Sequence, residues 1–299
     1  MTVMVTGATG FVGQAVVSYL AAKGRSVRAV VRRDAPTWPN GVSVVVVTDI
    51  SEMPPLDGID CIIHCAARAH VLKEAASDPL AAFRAVNRDA TLTLARTAAA
   101  SGVRRFIFIS SIGVNGAETR GRGYRHDDEP APHSPYAISK HEAELGLVDI
   151  ARETGLEIII IRPPLVMGAR PKGNLGTLQR AIAKGLPLPF GRVTKNRRDL
   201  VSLDTLASLI DTCINAPCAA GETFMVSDGA PLSTRGIVEA IASTAGLNLR
   251  LLPVPRAMLK TALRVLGKDA LASQLLGDLE VDIRHTIATL NWHQPVRSA

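Results

Sequence analysis

The chain has 299 residues, of which 47% are hydrophobic and 20% are charged, a balance typical of a globular protein with one large core or two unequal ones. Its net charge of +7 comes from lysines and arginines scattered along the sequence, and only 4% of its residues are aromatic. A nucleic-acid interface needs clustered cations and aromatic side chains on which bases stack, so the composition argues against one.

The sequence also carries no pattern of export or membrane insertion. No apolar run approaches the roughly 18 residues that would span a bilayer, and the first predicted strand begins at Thr2, which leaves no room for a signal peptide. The cysteines fit neither a CxxC pair nor a zinc pattern; they are Cys61, Cys65, Cys213 and Cys218. We therefore expect a cytoplasmic protein with free thiols and no metal site.

Six apolar, β-branched segments in the first half of the chain predict strands. In chain order they are Val3 to Thr6, Ser26 to Val31, Val42 to Val47, Cys61 to Cys65, Phe106 to Ser110 and Glu157 to Arg162. Most are separated by helical patterns rich in Ala and Leu, and this βαβ alternation predicts a parallel sheet covered on both faces. The predicted fold class is α/β, a Rossmann-type doubly wound sheet.

The alternation becomes less regular after about Pro163. Shorter elements are predicted there, namely strands near Asp199 to Leu203, Thr223 to Val226 and Leu249 to Leu252 and helices at Asp204 to Asn215, Thr234 to Ala245 and Arg256 to Leu266. We predict a Rossmann-type domain over residues 1–163 and a smaller α/β substrate-binding region over residues 164–299. The chain is free to cross between the two.

A run of three evenly spaced glycines follows the first strand. VTGATGFVG places Gly7, Gly10 and Gly13 between that strand and a helix that begins near Phe11. Only residues without a Cβ let the backbone turn so tightly and approach a pyrophosphate at the helix N-terminus. The segment therefore predicts a dinucleotide site in the first domain.

Two arginines follow the second strand and bear on the choice of dinucleotide. An NAD enzyme usually places an acid here for the adenosine ribose, whereas this chain has Arg32 and Arg33. Two guanidinium groups suit a 2′-phosphate, so NADP is predicted. NAD is the alternative, because Asp34 is adjacent and can serve the ribose.

The segment SPYAISKHEAE carries a candidate catalytic pair. Tyr136 and Lys140 are four residues apart at the start of a helical pattern, so their side chains share a face. A lysine beside a phenol favours the phenolate and would lower the tyrosine pKa toward neutrality. Ser111 follows the fifth strand, at the sheet edge where ligands bind. The three residues together predict acid–base chemistry in a cleft.

These motifs resemble the extended short-chain dehydrogenase/reductase family, the NAD-dependent epimerase/dehydratase group, in its nucleotide-sugar branch. The segments that carry the resemblance, in chain order, are TGATGFVG, the Asp49-Ile50 pair, HCAAR, Asn87, the serine pair ending at Ser111, YAISK, RPPLVMG, GNL, RDLVSLDTLA and VSDG. They extend over nearly the whole chain.

The resemblance implies roles for individual residues. Ser111 would bind the substrate oxygen, Tyr136 would be the general acid or base, and Lys140 would bind the nicotinamide ribose. The other cofactor contacts implied are Gly7, Thr9, Gly10, Phe11, Val12, Gly13, Asp49, Ile50, Ala66, Ala67, Asn87 and Pro163. The substrate contacts implied are Asn174 and Arg198, which match positions used for a nucleotide-sugar diphosphate, and Asn115, which stands where the family usually has a tyrosine.

The residues after Ser111 limit the reactions that the resemblance allows. Dehydrating relatives have an Asp-Glu pair there, whereas this chain has Ile112 and Gly113. We predict an NAD(P)-dependent reductase of a UDP-4-keto-6-deoxy-N-acetylhexosamine, for surface polysaccharide such as lipopolysaccharide. The alternatives are a UDP-hexose 4-epimerase, a reductase of flavonoid or steroid ketones, and a non-catalytic NAD(P)-sensing module. The intact Ser111, Tyr136 and Lys140 argue against the last of these.

The resemblance also implies a homodimer as the possible assembly. Similar enzymes pair through the helices that correspond to Ala82 to Ala100 and Tyr136 to Thr154. Both segments are rich in Ala, which permits close packing of helices.

Overall fold

The computed structural model describes residues 1–33, 37–48, 53, 56–69, 78–168 and 173–295, and it confirms the α/β prediction. The strands of the main sheet are β1 Thr2–Thr6, β2 Ser26–Val31, β3 Val42–Val46, β4 Ile59–His64, β5 Arg105–Ile109, β6 Glu157–Arg162 and β9 Thr223–Met225. They are parallel and lie in the order β3-β2-β1-β4-β5-β6-β9. The chain reverses its direction of travel across the sheet between β1 and β4, which opens a crevice at their carboxyl ends.

Helices cover both faces of this sheet, and this explains why its strands are almost entirely apolar. α1 (Phe11–Ala22) and α6 (Leu203–Asn215) pack on one face, and α3 (Ala90–Ala100) and α4 (Pro135–Thr154) pack on the other. The interior strand β5, with the sequence RFIFI, is buried at every position. The sheet therefore separates two hydrophobic cores.

A third, smaller core lies in the second half of the chain. It contains the two-stranded parallel sheet of β7 (Leu165–Met167) and β8 (Leu200–Ser202), with helices α5 (Gly173–Ala183), α7 (Thr234–Thr244), α8 (Arg256–Val265) and α9 (Asp269–Leu276). Because α6 and β9 return to the main sheet, segment 164–299 contributes to both parts of the molecule. The division into two domains at residue 163 stays a prediction.

The remaining elements are short. They are α2 (Pro79–Arg84), a π-helical turn (Ala85–Asp89), two 3₁₀ turns (Ile112–Val114 and Pro217–Ala219) and α10 (Arg284–Leu290). Helices α5, α9 and α10 were not predicted, and α9 and α10 have only eight and seven residues, too few for a clear helical period.

One predicted strand, Leu249 to Leu252, is wrong. The structure has only an isolated bridge between Leu251 and Leu188 there. Pro253 and Pro255 follow directly, and proline has no backbone N–H with which to extend a ladder.

Candidate active site

The glycine turn between β1 and α1 closes against the loop after β4. Gly7 has φ +65, and a Cβ there would lie 2.6 Å from the backbone nitrogen of Ala66. A Cβ on Gly13 would overlap the carbonyl oxygen of Gly7. Gly10 is the N-cap of α1 and brings no side-chain acceptor, so the first N–H groups of the helix are available to an anion. The turn fits a dinucleotide pyrophosphate.

The other predicted cofactor residues around this turn lie at the crevice. Thr9 and Ala67 are exposed, and Phe11, Val12 and Ala66 are half-buried. Their contacts with a cofactor stay predictions.

The steric part of this arrangement can be tested at Gly7. We expect Gly7→Ala to weaken dinucleotide binding at least about tenfold, because displacing the turn loses one or more hydrogen bonds to the pyrophosphate, each worth about 1.5–3 kcal/mol. Gly24 is a matched control, because it also has a positive φ, +73, but nothing lies within 4 Å of its Cβ position. Gly24→Ala adds backbone strain alone, so calorimetric titration should give it nearly unchanged affinity. Equal loss in both variants would contradict the steric account.

The residues predicted to select the nucleotide are only partly described. Arg32 and Arg33 are exposed immediately after β2, at the carboxyl edge of the sheet beside the glycine turn. Asp34, Asp49 and Ile50 lie outside the described residues. The NADP preference and the adenine contacts therefore stay predictions.

The start of α4 places the tyrosine and lysine that are predicted to be catalytic. Ser134 is the N-cap, and its side chain accepts a hydrogen bond from the backbone N–H of Ala137 at 3.2 Å. Pro135 is the first helical residue, where its missing N–H costs nothing. Tyr136 therefore lies in the first turn of α4, and Lys140 follows one turn later.

The structure brings Ser111 and Tyr136 together. Ser111 follows β5, and its Oγ accepts a hydrogen bond from the backbone N–H of Gly113 at 3.1 Å. The same hydroxyl lies close enough to the Tyr136 phenol to lower its pKa. Phe83, from α2, packs edge-on against the Tyr136 ring with the centroids 6.1 Å apart, and was not singled out from the sequence.

The pKa of the phenol shifts in the opposite direction to the prediction. Burial raises the pKa of Tyr136 to about 12, although the nearby Ser111 hydroxyl opposes this. Burial likewise lowers the pKa of Lys140 to about 7, against the opposing charges of Glu144 and Cys65. Burial favours the uncharged form of both groups. The four-residue spacing thus places the pair correctly, but it does not reveal how deeply the two groups are buried.

Lys140 is held against an aromatic ring of the sheet. Its side chain is 1% exposed, and its Nζ lies 4.0 Å from the centroid of the Phe108 ring. The face of an aromatic ring attracts a cation. This contact fixes the ammonium at the floor of the crevice, one turn from Tyr136.

Asn87 connects two walls of the crevice. It lies in the π-helical turn, a distortion that is frequent at functional sites. Its Nδ2 donates to the carbonyl of Arg68 at 3.1 Å and to the Oγ of Ser139 at 3.0 Å, and its Oδ1 accepts from the N–H of Arg68 at 2.8 Å. Asn87 therefore ties the loop after β4 to α4. Its predicted cofactor contact stays a prediction.

His64, at the end of β4, is a structural crosslink that sequence reasoning did not single out. The Thr91 hydroxyl donates to the carbonyl of Asn87 at 2.9 Å, so its oxygen accepts from His64 Nε2 at 3.0 Å. The other ring nitrogen, Nδ1, then accepts from the Thr6 hydroxyl at 2.7 Å. Burial lowers the pKa of His64 to about 3, with a contribution from Lys140. The ring is neutral and fully bonded, so it is not a general base.

A buried ion pair between Arg162 and Glu144 lies next to the site. Arg162, the last residue of β6, donates from Nε to Glu144 Oε1 at 3.1 Å and from Nη2 to Oε2 at 2.6 Å. The hydroxyl of Ser110 also donates to Glu144. The pair joins β5, β6 and α4 directly beneath Ser111 and Lys140. Glu144 was missed from the sequence, although an arginine that ends an apolar strand such as EIIIIR requires a buried partner.

Two further predicted residues lie next to this network. The Asn115 side chain is 2% exposed; its Oδ1 accepts from Arg162 at 3.1 Å, and its Nδ2 donates to the carbonyl of Arg125 at 3.1 Å. Both polar atoms are thus bonded within the protein. Pro163 accepts from the backbone N–H of Ile112 at 3.0 Å, beside Ser111. The ligand contacts of Asn115 and Pro163 stay predictions.

Arg198 lies in the C-terminal part. It is 8% exposed, and its Nη1 donates to the carbonyls of Gly277 at 3.0 Å and Ser273 at 3.4 Å. Among the described residues no hydrogen bond joins it to Ser111 or Tyr136. Asn174 falls in α5, but its side chain lies outside the part of the chain that the structure describes. The diphosphate role of both stays a prediction.

The residues that the structure describes contain neither a metal-binding group nor a membrane-spanning helix. Within the described ranges, no group of three or more His, Cys, Asp and Glu side chains could hold a metal ion. The helices described here include none with the length and apolar character needed to cross a bilayer.

Comparisons with known proteins place the chain among sugar-nucleotide enzymes. The model of the NAD dependent epimerase/dehydratase family matches residues 3–227. A UDP-glucose 4-epimerase of Vibrio cholerae is 42% identical over 299 residues, which cover 98% of this chain and 91% of that protein. The match thus extends over both parts of the molecule.

Solved structures share the fold. A UDP-glucose 4-epimerase from Thermotoga maritima, solved with UDP-glucose, gives a TM-score of 0.78 at 21% identity and covers 99% of this chain and 94% of that one. A UDP-glucuronic acid 4-epimerase from Bacillus cereus, in complex with NAD, gives 0.76 at 18% identity, with coverage of 99% and 94%. At these identities the likeness shows the fold alone.

Proposed function

Because the chain belongs to the NAD dependent epimerase/dehydratase family, which is the extended short-chain dehydrogenase/reductase family, we propose that it is a UDP-hexose 4-epimerase that interconverts UDP-glucose and UDP-galactose. The observation that carries the proposal is the 42% identity to a UDP-glucose 4-epimerase over 98% of the chain. Ser111 and Tyr136, which lie together at the crevice, supply the acid–base group that such a reaction needs.

The epimerase was the alternative in the sequence analysis, where a 4-keto reductase was predicted. Both reactions use the same serine, tyrosine and lysine, so these residues do not separate them. The relative of known activity favours the epimerase. Ile112 and Gly113 after Ser111 leave no carboxyl pair for dehydration.

NAD is the proposed cofactor, because an epimerase keeps one cofactor through the whole cycle. The glycine turn and the first turn of α1 would hold its pyrophosphate, and Lys140 would hold the nicotinamide ribose. When bound there, NAD would supply the hydride acceptor that oxidation at C4 of the sugar needs and the hydride donor that the return step needs. The predicted NADP preference from Arg32 and Arg33 is not required by this chemistry.

The protein's own residues transfer the proton of the sugar 4-hydroxyl. Tyr136 accepts the proton of the sugar 4-hydroxyl and later returns it, while Ser111 orients both the phenol and the reacting oxygen. Burial raises the pKa of the phenol to about 12, so Tyr136 must first lose its own proton to solvent before it can accept the proton of the sugar. A positive charge in the cofactor site would lower the pKa of the phenol and favour this phenolate.

The substrate diphosphate is assigned to Arg198. Because Nη1 of Arg198 donates to the two backbone carbonyls, its Nε and Nη2 are available to bind a phosphate. A planar guanidinium suits paired phosphate oxygens. Asn174, the other predicted diphosphate contact, is proposed to act with it.

The proposal is tested with purified protein and three sugars supplied separately. UDP-glucose should be converted to an equilibrium mixture with UDP-galactose without net consumption of cofactor, and NAD should co-purify with the protein. UDP-N-acetylglucosamine shows whether the pocket admits an acetamido group.

The third sugar, a UDP-4-keto-6-deoxy-N-acetylhexosamine with NADPH, tests the reductase. Oxidation of one NADPH per keto sugar, with no interconversion of the hexoses, would refute the epimerase and restore the reductase prediction.

A further inference from the structure

Helix α8 packs on the protein through only one narrow row of side chains. Leu259 and Leu263 are half-buried against the C-terminal core, and no residue of α8 is fully buried. Residues four apart cover one stripe of a helix. The rest of the α8 surface therefore faces solvent.

Large apolar side chains occupy part of this solvent-facing surface. Met258 is 63% exposed, Val265 is 81% exposed, and Leu266, directly after the helix, is 66% exposed. Met258 and Val265 are seven residues apart and share a face, next to the packed row. Single exposed apolar residues are ordinary, but a cluster of large ones indicates an interaction surface.

A row of cations runs along the other side of the helix. Arg256, Lys260 and Arg264 follow at intervals of four and are all exposed. Arg250 and Lys268 flank them, and residues 249–268 contain no Asp or Glu. The row is therefore a strongly positive strip, and it and the apolar cluster flank the solvent-facing side of the helix.

One ion pair touches the row but does not neutralise it. Arg264 lies 3.4 Å from Asp269, and both side chains are about two-thirds exposed, at 66% and 68%. Such a pair is weak in water and is easily exchanged for another anion.

We propose that α8 and Leu266 form a docking surface for anionic phospholipid bilayers, which we call the α8 surface. A helix with cations on its polar face and free apolar side chains beside them lies in the headgroup layer, with the apolar side in the acyl boundary. The cations are attracted to anionic headgroups. A folded protein partner would have to supply a groove that is both acidic and apolar, whereas a bilayer offers both properties along one plane. The protein's net charge of +7 acts in the same direction.

The α8 surface adjoins the residue proposed to bind diphosphate. Arg256 and Lys260 line a small pocket together with the carboxylate residue Glu118 and with Ser273 and Gly277, and Arg198 donates to the carbonyls of the last two. Glu118 offsets part of the charge at this end of the row, whereas Arg264 and Lys268 lie outside the pocket lining. Docking would hold this side of the protein against the membrane. The bilayer proposal itself does not rest on the proposed epimerase activity.

The test is flotation of the full-length protein with vesicles. Vesicles of equal parts phosphatidylglycerol and phosphatidylcholine should bind the protein, pure phosphatidylcholine vesicles should bind it far less, and added salt should weaken the binding. Val265→Ser combined with Leu266→Ser should reduce partitioning into the mixed vesicles at least about tenfold, because each buried aliphatic side chain contributes about that factor. Arg264→Gln combined with Lys268→Gln should also reduce it about tenfold.

Matched pairs elsewhere on the surface control for composition. Val46 and Leu145 are each 55% exposed, so Val46→Ser with Leu145→Ser removes the same residue types outside the α8 surface. Arg96→Gln with Arg152→Gln removes two exposed charges, at 58% and 75% exposure. Both control pairs should bind vesicles as the wild type does.

Three results would overturn the proposal. The first is equal binding of the wild type to both vesicle types, and the second is an equal loss of vesicle binding in the test pairs and the control pairs. The third is that the wild type does not bind vesicles while Val265→Ser with Leu266→Ser changes the oligomeric state. The last result would make the α8 surface a protein interface. Because the substituted side chains are exposed, unchanged unfolding midpoints will show that the variants are folded.

Discussion

Replacing Tyr136 with Phe is expected to lower the turnover of UDP-glucose by at least about 100-fold, because a positioned acid–base group typically contributes 10²- to 10⁴-fold. The change removes only the hydroxyl that lies near Ser111 and keeps the ring that packs against Phe83. Binding of NAD and the free energy of unfolding should therefore stay near the wild-type values. Steady-state kinetics, calorimetric titration and urea denaturation measure the three quantities.

Tyr19→Phe is the matched control, since it removes the same atom from a half-buried tyrosine on α1. Its turnover should equal that of the wild type. If Tyr136→Phe kept a large share of the activity, Tyr136 would have no place in the mechanism.

The parts of the fold that depend on local sequence could be predicted. β2 and β6 have the predicted bounds, since unbroken β-branched runs form buried strands of a parallel sheet. The glycine turn was predictable because the need to avoid a Cβ is a property of single residues. α6 begins one residue before its predicted start.

The rest depends on contacts between distant segments. The three-residue strand β9 lies within the predicted segment Thr223 to Val226, but its place beside β6, some sixty residues earlier, depends on a long-range pairing that local sequence does not reveal. β7 pairs in the same way with β8 and was not predicted. Short helices such as α9 and α10 are likewise determined by the core they cover, and propensity alone is a weak guide.

The same distinction holds in the candidate site. Ser111, Tyr136 and Lys140 could be found because a strand end and a helical spacing mark them. His64 and Glu144 could not be assigned, because their partners come from other strands and helices. The direction of the Tyr136 pKa shift was wrong for a related reason, since spacing along a helix does not reveal burial by the rest of the fold.

Glu144→Gln is expected to reduce the free energy of unfolding by about 3–5 kcal/mol, the usual cost of removing one partner of a buried pair. Glu144 and Arg162 are 3% and 6% exposed, so the substitution leaves the guanidinium charge uncompensated in the interior. The amide keeps one oxygen acceptor and nearly the same volume, so the decrease in the free energy of unfolding measures the effect of removing the charge. This decrease is obtained from urea denaturation at neutral pH.

Glu142→Gln provides the control on the same helix. Glu142 also pairs with an arginine, Arg84, at 2.5 Å, but the two side chains are 23% and 36% exposed, and exposed pairs contribute little. Glu142→Gln should therefore lower the free energy of unfolding by only a small fraction of the decrease in Glu144→Gln. Equal losses would mean that burial does not determine the strength of the Glu144–Arg162 pair.

The pH dependence of the difference between wild type and Glu144→Gln gives an independent check. Burial on its own raises the pKa of Glu144, but the side chains of His141, Arg162 and Ser110 outweigh it and hold the pKa below the ordinary 4.5. A carboxyl whose pKa is lower in the folded state contributes stability above its unfolded pKa and loses it as the pH falls through the folded value. The difference should therefore be constant above about pH 5 and shrink below 4.5. A difference that grew with acidity would show that the folded protein holds Glu144 protonated, and the buried pair would then not be ionic.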